Sequence, residues 1–253
     1  MENNSVYKIP IKERLCLFGE KVLDEFLKIQ ALQRYVNRRA NNKYGLYFVN
    51  GSSYDGNSAI DDVFNDYRFN DIRRDDIVLD IGANVGAFSL FVSRMVKHVY
   101  AVEPMLTDIL QQNVLLNKAD NITVLDEALG KGMLEIPWVG CEPRNMIGIS
   151  LGDLIKMCTC GRYVDFLKMD CEGAEWSIEP HELAGIRRIE AEIHNFDGKH
   201  DLGDFLKMLD ECGFKYDYSS PRSGILFVHA WRKEETERYI DGEYLKTLLK
   251  IMR

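Results

Sequence analysis

Two groups of acids, each set among glycines, are the residues of this chain best placed to do chemistry. The first lies in Val78-Leu-Asp-Ile-Gly-Ala-Asn-Val-Gly86, where an apolar run ends in Asp80 and turns through Gly82, Asn84 and Gly86. The second is Phe166-Leu-Lys-Met-Asp-Cys-Glu-Gly-Ala-Glu175, with Asp170, Glu172 and Glu175 gathered around Gly173. In open α/β sheets ligands sit beyond the carboxyl ends of the strands, so a glycine turn after a strand is a natural binding edge. A dinucleotide would lay its pyrophosphate on Gly-x-Gly-x-x-Gly at a helix N-terminus. Here Asn84 stands where the second glycine would fall, and Asp80, two residues before the first, would repel a diphosphate. The same carboxylate attracts the ammonium of a methionine moiety, so the spacing favours S-adenosylmethionine over NAD.

Other acids fit that ligand. Glu103 closes the next apolar run 21 residues after Gly82, where it can accept hydrogen bonds from both ribose hydroxyls. After a third run, Asp126 or Glu127 could meet the adenine amino group, with Ala128 leaving room for the ring; Glu127 is preferred. Asp170, Glu172 and Glu175 stand at the same sheet edge as the cofactor. Three acids so close would repel one another if desolvated, so at least one accepts hydrogen bonds, binds a cation or holds a raised pKa. If the acceptor is a hydroxyl, a base must take its proton. His194, in Glu190-Ala-Glu-Ile-His-Asn195, is the leading candidate, with Asp170 as its orienter or as the alternative base. A divalent cation held by Asp170, Glu172 and His194 is a competing arrangement.

The elements that must position these groups alternate in type. From Asp75 onward, strand, glycine turn and helix repeat, the mark of a mostly parallel sheet with crossover helices. Strands are expected at 77–80, 98–103, 122–128, 166–170, 189–194, 215–219 and 224–230. Helices are expected at 88–97 and 107–117, and the last two strands are joined too closely to be anything but an antiparallel hairpin. The expected fold class is α/β: a Rossmann-like, mostly parallel seven-stranded sheet with a C-terminal antiparallel hairpin. Ahead of it, residues 11–39 read as an amphipathic helix, 44–50 as a strand or hairpin edge and 51–58 as a turn; residues 234–253 read as a docked helix. The division is therefore 1–70 extension, 71–232 core domain and 233–253 terminal helix, and 138–147 is left without an assignment.

A chain of 253 residues, 46% hydrophobic and 11% aromatic, can bury one substantial core. Its net charge of −8 is a poor start for wrapping polyanionic nucleic acid, although 34–39 holds a local basic patch. No run approaches the roughly 18–20 apolar residues that span a bilayer, and no signal core opens the chain, so a cytoplasmic protein with no membrane partner is expected. The six cysteines lack paired Cys-x-x-Cys spacing and suggest reduced thiols, with no metal site built on them. An exposed face of the first helix would suit a homo-oligomer.

The motifs at Val78 to Gly86, Val102-Glu-Pro104, Glu127-Ala-Leu-Gly130, Ile149 to Ile155 and above all Lys168 to Glu175 resemble those of the FkbM family of S-adenosylmethionine-dependent methyltransferases, over residues 75 to 230. The resemblance implies a class I methyltransferase fold and methylation of a hydroxyl on a small molecule or saccharide. It implies that Asp80, Gly82 and Gly86 line the methionine part, Glu103 the ribose, and Asp170 with Glu172 the transfer edge. An RNA or protein methyltransferase is the nearest rival, and a cofactor-binding module without catalysis is the rival outside enzymes. Asp-Cys-Glu-Gly stands where a base-methylating RNA enzyme usually carries Asn-Pro-Pro, and acids there disfavour a phosphate-rich acceptor.

Overall fold

The computed structural model describes residues 44–49, 56–69, 71–138, 141–159, 163–196, 198–221 and 223–232. The helices expected at 11–39 and 234–253 lie outside the described residues. Elements run α1 (Gly56–Asp66), β1 (Ile77–Ile81), α2 (Ala87–Val92), β2 (His98–Val102), α3 (Thr107–Asn117), β3 (Ile122–Leu125), β4 (Gly132–Trp138), β5 (Cys141–Gly148), α4 (Leu151–Thr159), β6 (Phe166–Met169), β7 (Arg188–His194), α5 (Leu202–Glu211), β8 (Phe214–Ser219) and β9 (Ile225–Arg232). Two 3₁₀ turns, Ala174–Ser177 and Pro180–Leu183, sit between β6 and β7.

Seven strands pair in the order β3-β2-β1-β6-β7-β9-β8. All run parallel except β9, which is antiparallel to both neighbours. The α/β, Rossmann-like class with its C-terminal hairpin is thus the observed one. Residues of one strand feed opposite faces alternately. Leu79, Ile81, Leu167 and Met169 join α4 and α5 in one apolar cluster, whereas Val78, Val99, Ala101 and Phe166 join α1, α2 and α3 in the other. Burying both faces is what makes these strands near-continuously apolar.

One row across the sheet breaks that rule. Register places Asp80 beside Lys168, Lys168 beside Glu190, Glu190 beside His229 and His229 beside Asp217. Asp80 and Lys168 pair at 3.2 Å, His229 Nδ1 and Glu190 Oε2 at 2.6 Å, and the first four of these residues are buried. Arg68 caps the row: its backbone N–H donates to Glu190 (2.8 Å) and its guanidinium pairs with Asp217 (2.8 Å).

The structure corrects the sequence reading at three places. Residues 45–49 form no strand, although their composition favours one. Their backbone is paired by side chains instead: Val49 N donates to Asn113 Oδ1 (2.7 Å), Tyr47 N to Asn117 Oδ1 (2.9 Å), and Arg94 donates to the Tyr44 and Gly45 carbonyls. The expected turn at 51–58 gives way to helix from Gly56, because apolar positions 60, 63, 64 and 67 share one helical face and pack on the core. The unassigned stretch at 138–147 belongs to an antiparallel hairpin, β4–β5, outside the main sheet. Smaller shifts are a shorter α2 and an end to β3 at Leu125. Residues 56–69, placed in an extension by the sequence, are built into the core through Ile60, Val63, Phe64, Tyr67 and Phe69.

Candidate functional site

A cavity of about 1110 Å³ opens at the carboxyl ends of β1, β2, β3, β6 and β7, across the point where the strand order reverses. Its volume stands at the upper end of the roughly 300–1,000 Å³ usual for small-molecule pockets.

One half is built by the turn after β1. Gly82 and Ala83 donate to the Val102 carbonyl (both 3.0 Å), which ties this turn to the end of β2. Gly82 has φ +74°, and a Cβ there would lie 1.7 Å from the Asp170 carbonyl oxygen, so no other residue fits. Asn84 also adopts a left-handed φ of +52°. Its N–H donates to Glu103 Oε2 (2.9 Å), while Glu103 Oε1 accepts from Met105 N (2.6 Å) and Leu106 N (2.9 Å). A carboxylate offers about four acceptor sites. Glu103, buried at the cavity wall, therefore clamps two loops and keeps one site for a ligand hydroxyl. Asn84, Glu127 and Ala128 line the same half, as do Leu134, Glu135, Ile136 and Pro137 of the β4–β5 hairpin.

Three residues expected at the cofactor do not line the cavity. Asp80 is fully buried, accepts from Ser89 Oγ (2.6 Å) and pairs with Lys168, whose Nζ also donates to the Gly82 carbonyl (2.8 Å). It cannot reach a ligand ammonium; it holds the ammonium that props up the glycine turn. Gly86, at φ +89°, starts α2, where a Cβ would strike Leu110 Cδ1 at 2.5 Å. Asp126 is taken by Arg144 of β5, which grips both its oxygens (2.6 and 2.8 Å) and also donates to the Pro104 carbonyl (2.5 Å). That pair holds the Asp126 carboxyl below its ordinary range.

The other half is acidic. Asp170, Glu172, Glu192 and His194 all line it. Burial pushes the Asp170 carboxyl up to about 6, with Lys168 opposing the shift and Glu192 adding to it. Tyr67 donates to Asp170 Oδ2 (3.2 Å). Glu172 takes a left-handed φ of +56°, which costs a non-glycine residue about 1–2 kcal/mol, and its exposed carboxylate stands at the cavity mouth. Glu175, expected among this trio, turns inward and accepts from Cys171 N (2.7 Å) and Gly173 N (2.8 Å), closing the loop beneath Glu172. Cys171 is held as a thiol, because burial and Glu175 push it well above its usual value. The described cysteines, Cys158, Cys171 and Cys212, are unbridged.

His194, the base expected from the sequence, is enclosed by carboxylates. Its Nδ1 faces Glu175 (3.4 Å) and its Nε2 faces Glu192 (3.2 Å). Burial alone would lower its pKa, but the hydrogen bonds to these two carboxylates and the charges of Glu175 and Asp170 outweigh it and hold the ring at about 10. At neutral pH it is an imidazolium with no lone pair to offer. Asp170, Glu192 and His194 bring ligand-type atoms within 4.8 Å of one another, with Glu192 in place of the Glu172 expected in a metal site. Both ring nitrogens face carboxylates, the contacts that a doubly donating imidazolium makes.

No family model matches the chain, so the FkbM resemblance has no further support. A 62-residue stretch is 37% identical to a probable ribosomal RNA small subunit methyltransferase A of Methanosphaera stadtmanae, spanning 23% of this chain and 23% of that relative. Among solved structures, similarity is found to a precorrin-6y C5,15-methyltransferase of Geobacter metallireducens (12% identity, 74% of this chain and 94% of that one, TM-score 0.48). It is also found to an rRNA methylase of Streptococcus thermophilus (11%, 72% and 98%, 0.46) and to a SAM-dependent methyltransferase of Aquifex aeolicus (15%, 70% and 98%, 0.40).

Four residues of the site escaped the sequence reading. Lys168 was legible as a lysine within an apolar strand, a placement that demands a buried partner. Glu192 was legible as the acid two residues before His194. Tyr67 and Arg144 carry no local signal, since each reaches the site from an element whose position only the fold reveals.

Proposed function

We propose that this protein is an S-adenosylmethionine-dependent methyltransferase acting on a hydroxyl of a small molecule or saccharide. The observation that carries this reading is the two-part cavity: a glycine turn with a ribose-ready carboxylate on one side, and a carboxyl of raised pKa on the other. The residues fit the cofactor by their chemistry. Glu103 keeps an acceptor site for a sugar hydroxyl, Glu127 and Ala128 flank a place for adenine, and the negative charge facing a sulfonium and its ammonium comes from Asp170, Glu172 and Glu192 instead of Asp80. When bound, the cofactor supplies an electrophilic methyl group. Asp170 then takes the proton of the acceptor hydroxyl; a carboxyl near 6 is ionised at neutral pH yet basic enough to share a proton during attack. His194, as a fixed cation behind it, keeps Glu192 and Glu175 in place. Orientation of the two reactants by the shared cavity supplies much of the acceleration.

An RNA acceptor is the second reading, favoured by the short match to a ribosomal RNA methyltransferase. The acids around the acceptor half and the net charge of −8 oppose it, since phosphate-rich substrates are held by basic surfaces. The test is calorimetric titration with S-adenosylmethionine and with NAD, followed by label transfer from methyl-tritiated S-adenosylmethionine into small-molecule, protein and RNA fractions of a cell extract. Binding of the sulfonium cofactor with label in the small-molecule fraction is expected. Label confined to RNA overturns the acceptor assignment, and tight NAD binding without S-adenosylmethionine binding overturns the whole reading.

A further inference from the structure

The segment ahead of the sheet sends one side chain to the reacting half of the cavity. Tyr67 follows α1, and its N–H donates to the Val63 carbonyl (3.2 Å). Its ring is buried edge-on to Phe88, with centroids 5.8 Å apart at 79°, and the Lys168 ammonium lies 5.5 Å from the ring centroid. Its hydroxyl donates to Asp170 Oδ2 at 3.2 Å. Burial, followed by the charge of Asp170, raises the phenol well above its usual value, so it stays a donor at any pH the protein would meet.

An aspartate carboxyl turns about a broad, two-fold torsion unless something marks one oxygen from the other. In this site something does. Oδ2 is bound by Tyr67, whereas Oδ1 stands 3.9 Å from His194 Nε2, too far for a hydrogen bond, on a residue that lines the cavity. We infer that Tyr67 is a positioning residue for the transfer step: its hydroxyl fixes the Asp170 carboxyl so that Oδ1 meets the acceptor, and residues 56–69 thereby complete the site. The role in transfer rests on the function proposed above, whereas the contact itself does not.

Tyr67→Phe isolates the hydroxyl, because it keeps the ring against Phe88 and Lys168. The groups facing Asp170 are Tyr67, Lys168, Glu172, Glu192 and His194, and only the first is altered. A donor to a carboxylate stabilises its charged form, so carbon-13 NMR titration of the aspartate carboxyls in the full chain, assigned with Asp170→Asn, should show the Asp170 midpoint rising in Tyr67→Phe. The affinity for S-adenosylmethionine should stay within about twofold by calorimetry. Label transfer from tritiated S-adenosylmethionine into the extract should fall at least about tenfold, with the acid limb of the rate profile moved to higher pH. An unchanged Asp170 midpoint, with circular dichroism confirming a folded variant, overturns the inference. A rate loss with no movement of that limb does so as well. Absence of label transfer by the unaltered protein overturns the proposed function instead, and leaves the Tyr67–Asp170 contact to be decided by the titration.

Discussion

Asp170 and His194 exchange the roles that their residue types suggest. Histidine is the usual base near neutral pH because its ordinary pKa lies there, yet Glu175 and Glu192 on both of its nitrogens convert it to a standing cation. Burial moves the aspartate into the range that histidine has vacated. Two outcomes follow at this scale. Asp170→Asn should leave S-adenosylmethionine binding within a few-fold and lower methyl transfer by roughly 10²–10⁴, the usual worth of a positioned base; single-turnover rates measure it. His194 has a folded pKa above its unfolded one, so its contribution to stability is complete below about 6.5 and disappears as pH rises toward about 10. Urea unfolding should therefore show the unaltered protein losing stability across that window relative to His194→Gln, in which the slope flattens.

At the scale of elements, the parts that the sequence revealed are those with a strong period or a turn signal. β1, β2 and β6 are mainly apolar runs with an acid at or just past their ends, and the β8–β9 pair is announced by Pro221 and Gly224. The missed elements offered mixed signals. α1 is rich in Gly, Asn, Ser and Asp, residues that favour turns, and only its apolar spacing at 60, 63, 64 and 67 betrays a helix. β4 carries Pro137, which argues against a strand unless the strand lies at an edge, as this one does. The hairpin was also beyond reach as a site element, because its link to the cavity is Arg144 closing on Asp126 and Pro104 across 18 and 40 residues of chain. Arg144→Ala should release that edge of the adenosine half. The pair is half exposed, so its loss is worth about 0.5–1 kcal/mol and a few-fold weaker S-adenosylmethionine binding. Calorimetry reads it, and Arg144→Lys, which cannot form the two-pronged contact, should recover only part.

At the scale of the molecule, fold class and sheet edge were readable because both follow from the order of strand, glycine turn and helix. Which acid faces the ligand was not. Asp80 near the end of β1 pairs with a lysine on the neighbouring strand while Asp170, just past β6, lines the cavity, and only strand order decides this. Removing the lysine tests the consequence. Lys168→Met should destabilise by about 3–5 kcal/mol because it removes the counter-charge of Asp80 in the core and leaves it only the Ser89 hydroxyl, and Lys168→Met with Asp80→Asn should recover much of that in chemical denaturation.

The row Asp80, Lys168, Glu190, His229, Asp217 also bears on how the strands find one another. Smooth apolar strands can slide past each other by two residues and still bury the same face, which is a hazard in a sheet assembled from segments distant in the chain. With Asp80 paired to Lys168 and Glu190 to His229 at a single height across β1, β6, β7 and β9, a two-residue slip would part each buried polar group from its partner, so this row favours one register over its neighbours.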